Sequence, residues 1–217
     1  MYLFCVMATC LQGQTGKSTP TPSPQAAHHG AARVAGIIPA FNAENHIHAP
    51  ALSSGEKFHL FVKTIKDPYN LVMPALNAVI LNAGGSSSGY GSGFSGFAKR
   101  YGASMADSMS GNCLRLYAFP SLLHEDPRYF RASPGPIIKR VGHVFGATVW
   151  TRKDDESCRF NWSKPLASGT SSALSNTYYP AENRGARLTL SRIGLSYLGE
   201  IAMNGVQEFW PDIAHNK

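Results

Sequence analysis

Small residues recur at every fourth position along four stretches of this 217-residue chain, and that spacing constrains the fold more than any other pattern in it. Ala98, Gly102, Ala106 and Ser110 form one row, and Ile138, Gly142, Gly146 and Trp150 a second. Ala167, Ser171 and Ser175 form a third, and Gly194, Leu198, Ala202 and Gly205 an approximate fourth. Positions four apart share a helix face. Small side chains there let two backbones approach closely, as in GxxxG packing within membranes. Tightly packed helices in water use the same device. Lys99, Arg100, Asp107, Arg115 and Glu200 lie on these segments and favour a water-soluble or peripheral bundle over one immersed in lipid.

The flanking patterns are mostly helical too. Ser53-Ser54-Gly55-Glu56 reads as a capping box. Phe58, Phe61, Val62 and Ile65 follow on one helix face, and Asp67-Pro68 ends or kinks that helix. A second apolar segment spans Tyr69 to Leu81 with Pro74 inside it, so it bends or starts late. No charge falls between Pro68 and Ala98, and the Gly/Ser-rich end of that stretch reads as a flexible loop carrying Tyr90, Phe94 and Phe97. Its Gly91-x-Gly93-x-x-Gly96 spacing fails as a dinucleotide fingerprint, because no strand precedes it and no acidic residue follows at the right distance. The next helix is expected from about Phe97 to Leu116. Alternation on both sides of Lys153-Asp154-Asp155-Glu156 predicts a β-hairpin over about 149–162. Alternation from Leu188 to Leu198 fits a further strand, while Ile193 to Phe209 reads better as a helix closed by Trp210-Pro211-Asp212. The expected fold class is mainly α: a compact multi-helix bundle with small-residue helix contacts and one short β-hairpin.

Composition narrows the setting. Apolar residues make up 43%, enough for a core, and charged ones only 15%, against about 25% in an average soluble domain. So few charges mean either a Ser/Thr/Asn/Gly surface, as in many secreted proteins, or a chain that leans on a membrane. The net charge of +7 is spread thinly, with Lys99-Arg100 and the Arg128 to Arg140 stretch interrupted by apolar, Gly and Pro residues. Nucleic-acid binding needs a focused basic stripe and is not expected. The spread positive charge is compatible with loose attraction to anionic lipid or polysaccharide.

The N-terminus points to export. Tyr2 to Leu11 is an apolar run of signal-peptide length followed by polar residues. It is too short to span a membrane, and it lacks a basic n-region, as a start placed too far downstream would leave it. Cleavage falls near Cys10 to Gln14, or Met7-Ala8-Thr9-Cys10 serves as a lipobox with Cys10 acylated. Residues 1–14 are thus the leader and 15–33 a Pro/Ser/Thr-rich linker without a core. Residues 34–52 are an extended arm that docks through its apolar Val34 to Phe41 patch onto the helical domain, 53–213. His28, His29, His46 and His48 read as solvated, and neither metal nor cofactor is expected. Cys113 and Cys158 either form a disulfide, if the compartment is oxidising, or stay as buried thiols.

His124-Glu125-Asp126-Pro127-Arg128-Tyr129-Phe130 is the segment richest in ionisable groups. His124 with Glu125 or Asp126 has the residue types of an acid/base pair, yet no distant nucleophile completes a triad. The simpler reading is a turn closed by Asp126 and Arg128. The spacing is not HExxH, and the serines of Ser168 to Ser175 lack a GxSxG elbow. Asp107, on a small-residue helix, is either an exposed or a buried functional carboxylate.

GIIPAF, SGEKFHLFVKTIKDPY, GYGSGFSGFAKRYGASMAD, PSLLHEDPRYFR, ALSNTYYP and QEFWPDI together resemble a family of uncharacterised secreted proteins of acidobacterial-type soil bacteria. The resemblance covers about residues 34–213. It implies export and a shared fold, and it carries no activity to transfer. The expectation is therefore an exported periplasmic or outer-membrane protein with a structural or binding role toward envelope protein or polysaccharide. Tyr90, Phe94, Phe97, Arg128 and Tyr129 are its candidate binding residues. The alternatives are an envelope-polymer hydrolase using His124 with Glu125 or Asp126, and a subunit of an integral helical assembly.

Overall fold

The computed structural model describes residues 33–34, 38–39, 42–44, 49–83, 88–132 and 135–215. The leader, Cys10, nearly all of the linker and the four N-terminal histidines lie outside them. Seven α-helices are described: α1 (Ser54–Lys66), α2 (Pro68–Ala83), α3 (Gly93–Cys113), α4 (Phe119–Leu123), α5 (Ile137–Val149), α6 (Ser163–Tyr178) and α7 (Ala186–His215). The strands are short: β1 (Arg33–Val34), β2 (Ile38–Pro39), β3 (Ala43–Glu44), β4 (Tyr129–Phe130), β5 (Trp150–Arg152) and β6 (Cys158–Phe160). The fold is mainly helical. It divides into two compact units, so the expected helical domain 53–213 is shared between both. One unit holds the chain up to Leu52, Asp126–Asn161 and the residues from Glu200 on; the other holds Ser53–Glu125 and Trp162–Gly199.

The helical unit, Ser53–Glu125 with Trp162–Gly199, begins at the capping box. Ser53 Oγ accepts from the Glu56 N–H at 3.3 Å, while the Glu56 carboxylate accepts from the Ser53 N–H at 2.8 Å. Lys63 and Lys66 in the last turn of α1 complement its dipole. Asp67 closes α1 and opens α2, donating its N–H to the Thr64 carbonyl and accepting from the Tyr69 N–H at 2.9 Å. Pro68 then occupies the first position of α2, where a missing N–H costs nothing. The apolar line of α1 is not its buried one: Phe58 is exposed, whereas Lys57 and Leu60 are buried.

α3 starts four residues earlier than its pattern predicts, so Phe94 and Phe97 stand on a helix rather than in a loop. It runs through a π-helical turn, Leu114–Ala118, into α4. His124 ends α4 in the left-handed conformation, at φ 55°, and the Glu125 N–H returns to the Pro120 carbonyl at 3.0 Å. Of the small-residue rows, the third makes the contact. Ala167 and Ser175 on α6 are buried, and Ser171 Oγ lies 3.5 Å from Ser110 Oγ on α3. A Cβ added at Gly111 would stand 3.5 Å from Ser171 Oγ, an ordinary contact with a side chain. Gly102, Gly142, Gly194 and Gly205 instead meet no atom within 4 Å of an added Cβ. α3 turns Ser104 rather than Gly102 toward α2, where the Asn77 amide donates to the Ser104 hydroxyl at 3.2 Å.

In the other unit β1 and β2 form a short antiparallel pair, and β3 pairs in parallel with β4 in the register Ala43↔Tyr129 and Glu44↔Phe130. β5 and β6 form the predicted hairpin, with Trp150 opposite Phe160 and Arg152 opposite Cys158. The alternating stretch from Leu188 to Leu198 is helical, and α7 continues through Pro211 to His215. Period-2 and period-3.6 patterns overlap over such a short run, and no strand partner is described for it. Cys113 ends α3 as a free thiol while Cys158 is disulfide-bonded, so the Cys113–Cys158 bridge is not made. The two residues belong to different units.

Candidate functional site

The His124–Phe130 segment is taken apart by the fold. His124 is exposed at the left-handed helix end. Glu125 is buried and caps α6, accepting from the backbone N–H groups of Trp162 at 3.3 Å and Ser163 at 2.9 Å. Asp126 belongs to the other unit and accepts from Arg128 through its Nε and Nη2, the latter at 2.7 Å. Arg128 also reaches Glu44 at 3.4 Å and the Pro50 carbonyl at 2.6 Å, which ties β4 to the N-terminal arm. These carboxylates hold backbone and guanidinium. The turn closed by Asp126 and Arg128 is present as the sequence suggested.

Tyr129, named from sequence as a binding residue, is buried and donates to Glu208 Oε2 at 2.9 Å. Glu208 is wholly enclosed and also accepts from the Ala132 N–H at 3.2 Å and Arg140 Nε at 2.8 Å. Arg140 further pairs with Asp212 and lies over the Phe209 ring at 4.6 Å. Burial, with the Glu208 charge behind it, pushes the Tyr129 phenol far above its usual range. Tyr129 and Arg128 thus serve the interior of their unit, not a surface. Glu208 was not singled out from sequence; its signal was only the QEFWPDI string.

In the helical unit Asp107 gathers hydroxyls. Its carboxylate accepts from Ser175 Oγ at 2.5 Å, from Tyr178 and from Tyr179 at 2.7 Å. Burial first, then the bond to Asp107, raises the Tyr178 phenol to about 12, and Tyr179 is raised by the same causes. Tyr90, expected on an outer loop, packs edge-on against Tyr179 at 6.0 Å, with the Arg100 guanidinium 5.7 Å from its ring. Arg192 lies 4.2 Å over the Tyr179 ring. Asp107 is therefore a partly buried hub, and the Tyr-Tyr-Pro end of α6 supplies what the sequence left unassigned.

The outer surface of this unit is unusual. Around α2 the small residues Pro74 and Ala78 are buried, Ala78 completely, while Val72, Leu76, Val79 and Ile80 are all about half exposed or more, Val72 and Ile80 at 60%. Phe94, Met109, Leu122, Leu166, Leu174, Leu190, Leu195 and Leu198 are exposed as well. The chain turns small and polar residues inward and large apolar ones outward, the reverse of a surface helix in water. Among the described residues no helix is long and apolar enough to cross a membrane, and no group of three or more His, Cys, Asp and Glu could hold a metal ion. Comparison with protein-family models, curated proteins and solved structures gives no match.

Proposed function

We propose that this chain is a non-enzymatic component of the bacterial cell envelope, periplasmic or at the outer membrane, that binds a lipid surface peripherally through the outward face of α2. The inversion of α2 carries the reading: its branched apolar side chains point out while Ala78 is buried. Exposed apolar area on this scale marks an interaction surface. A helix too short to cross a bilayer gains by laying such a face at the boundary between headgroups and acyl chains.

Lipid is favoured over a single protein partner because exposed leucines and other large apolar groups occur on α2, α3, α6 and α7 alike. The net charge of +7 complements anionic headgroups. The signal-like leader and the resemblance to secreted proteins support export. The hydrolase reading is less favoured, since Glu125 and Asp126 are committed to the α6 N-terminus and to Arg128. Vesicle co-sedimentation of the full chain tests the proposal: binding that is lost on Val72→Asp with Leu76→Asp supports it, and an unchanged bound fraction rejects it.

A further inference from the structure

The four cysteines of the chain fall to different fates. Cys113 is a free thiol at the end of α3, in the helical unit. Cys158 is disulfide-bonded and stands in β6 opposite Arg152 of β5, in the other unit. A bond from Cys158 that Cys113 does not make leaves Cys5 and Cys10, both outside the described residues. The unit that holds the hairpin also takes in the N-terminal part of the chain. Within it the arm comes to the base of the hairpin. β3 pairs with β4, and Arg128, just before β4, holds Glu44 and the Pro50 carbonyl. The Arg152 carbonyl accepts from the Asp126 N–H at 2.8 Å, and its guanidinium lies 5.1 Å over the Phe130 ring of β4.

We propose that Cys158 is bonded to Cys10, so that a disulfide fastens the N-terminal segment to the β5–β6 hairpin. The chain between Cys10 and Arg33 reaches about 75 Å when extended, against a radius of gyration of about 13 Å for a 100-residue domain, so length does not bar the bond. The choice of Cys10 over Cys5 rests on the export reading. Cleavage after the small pair Ala8-Thr9 removes Cys5 and leaves Cys10 as the first residue of the exported chain. An oxidising compartment is also where such a bond persists. The bond forms by exchange with a disulfide oxidant such as oxidised glutathione. One cysteine thiolate attacks it and releases a glutathione thiolate; the second cysteine thiolate then displaces the other glutathione as the S–S bond closes, both cysteine protons having passed to water. A Cys10 thiol engaged in this way is not acylated, which leaves membrane contact to the apolar face of α2 rather than to a lipid anchor.

Refolding of the full chain in a glutathione redox buffer, followed by tryptic mapping without reduction, tests the bond. The expected product joins the peptide Asp154–Arg159 to Met1–Lys17 and is split by dithiothreitol. The link persists in Cys5→Ser and in Cys113→Ser and is absent from Cys10→Ser. Oxidation in concentrated urea, where no fold guides the pairing, yields it only as one pairing among several. A free Cys158, a link from Cys158 to Tyr101–Arg115 or to a second copy of itself, or a link that survives Cys10→Ser overturns the bond. So does the same mixture of pairings with and without urea. Refolding takes place outside the cell, so its result does not depend on export. Fractionation and N-terminal sequencing of the chain from cells separate the two readings. An exported chain that begins beyond Cys10 overturns the bond and leaves export standing, whereas a chain retained in the cytoplasm that forms the Cys10 link on refolding overturns export alone.

Discussion

Glu208 and Asp107 meet the same problem, a carboxylate set among packed helices, with opposite partners. Glu208 is fully enclosed and is neutralised by Arg140 beside a tyrosine and a backbone N–H. Asp107 is only partly buried and is held by three neutral hydroxyls, while the nearby guanidiniums of Arg100 and Arg192 face tyrosine rings. The first arrangement pairs charge with counter-charge inside its unit. The second relies on neutral hydroxyls alone, with its guanidiniums turned to aromatic rings.

Removing each carboxylate tests that difference. Glu208→Ala strands the Tyr129 hydroxyl and leaves Arg140 with only the exposed Asp212 as counter-charge, and the loss in urea unfolding is about 3–5 kcal/mol, typical of breaking a buried ion pair from one side. Asp107→Asn keeps one acceptor oxygen, sets an amide NH2 against the hydroxyl on the other side and removes the charge, for about 1.5–3 kcal/mol. If Asp107→Asn costs as much as Glu208→Ala, the two sites are equally closed and the contrast fails.

A smaller effect follows from the tyrosines. Their phenols are raised in the folded chain, Tyr178 to about 12 and Tyr129 and Tyr179 also upward, by burial and by the carboxylates they touch. A raised folded value gives stability that is complete below the unfolded value of about 10 and is lost as pH climbs through the folded one. Melting temperature should therefore hold up to about pH 10 and decline toward 12. Tyr179→Phe should make that decline shallower, and circular dichroism melts check both. A pH-independent melt over that range would deny the tyrosines their place in the two hubs.

How much of this could be read beforehand depended on range along the chain. The Ser53–Glu56 capping box and the hairpin expected over about 149–162 are set by neighbours a few residues apart; the box appears as written and the hairpin spans 150–160. Spacing identified small-residue faces but not which face meets another helix; one step around α3 exchanges Gly102 for Ala103, and the buried residue is Ala103. The Phe58 face of α1 misled for a related reason. Periodicity assumes that large apolar residues go inward, and here Lys57 is buried while Phe58 is exposed. The Tyr129–Glu208 and Asp107–Tyr179 bonds join residues 79 and 72 positions apart, and nothing local marks them. Among the candidate site residues, only the Asp126–Arg128 turn was legible, because its partners lie two positions apart.

The most direct test is binding of the full chain to vesicles of phosphatidylcholine and phosphatidylglycerol, compared between wild type and the Val72→Asp, Leu76→Asp double variant. Both side chains are exposed, so each change should move stability by no more than about 0.5 kcal/mol. The bound fraction should nevertheless fall at least about ten-fold, since two buried apolar contacts with lipid are replaced by charges. Equal binding by the two proteins would contradict a lipid-facing α2, and an early melt of the double variant would mean that this face is packed inside the protein instead.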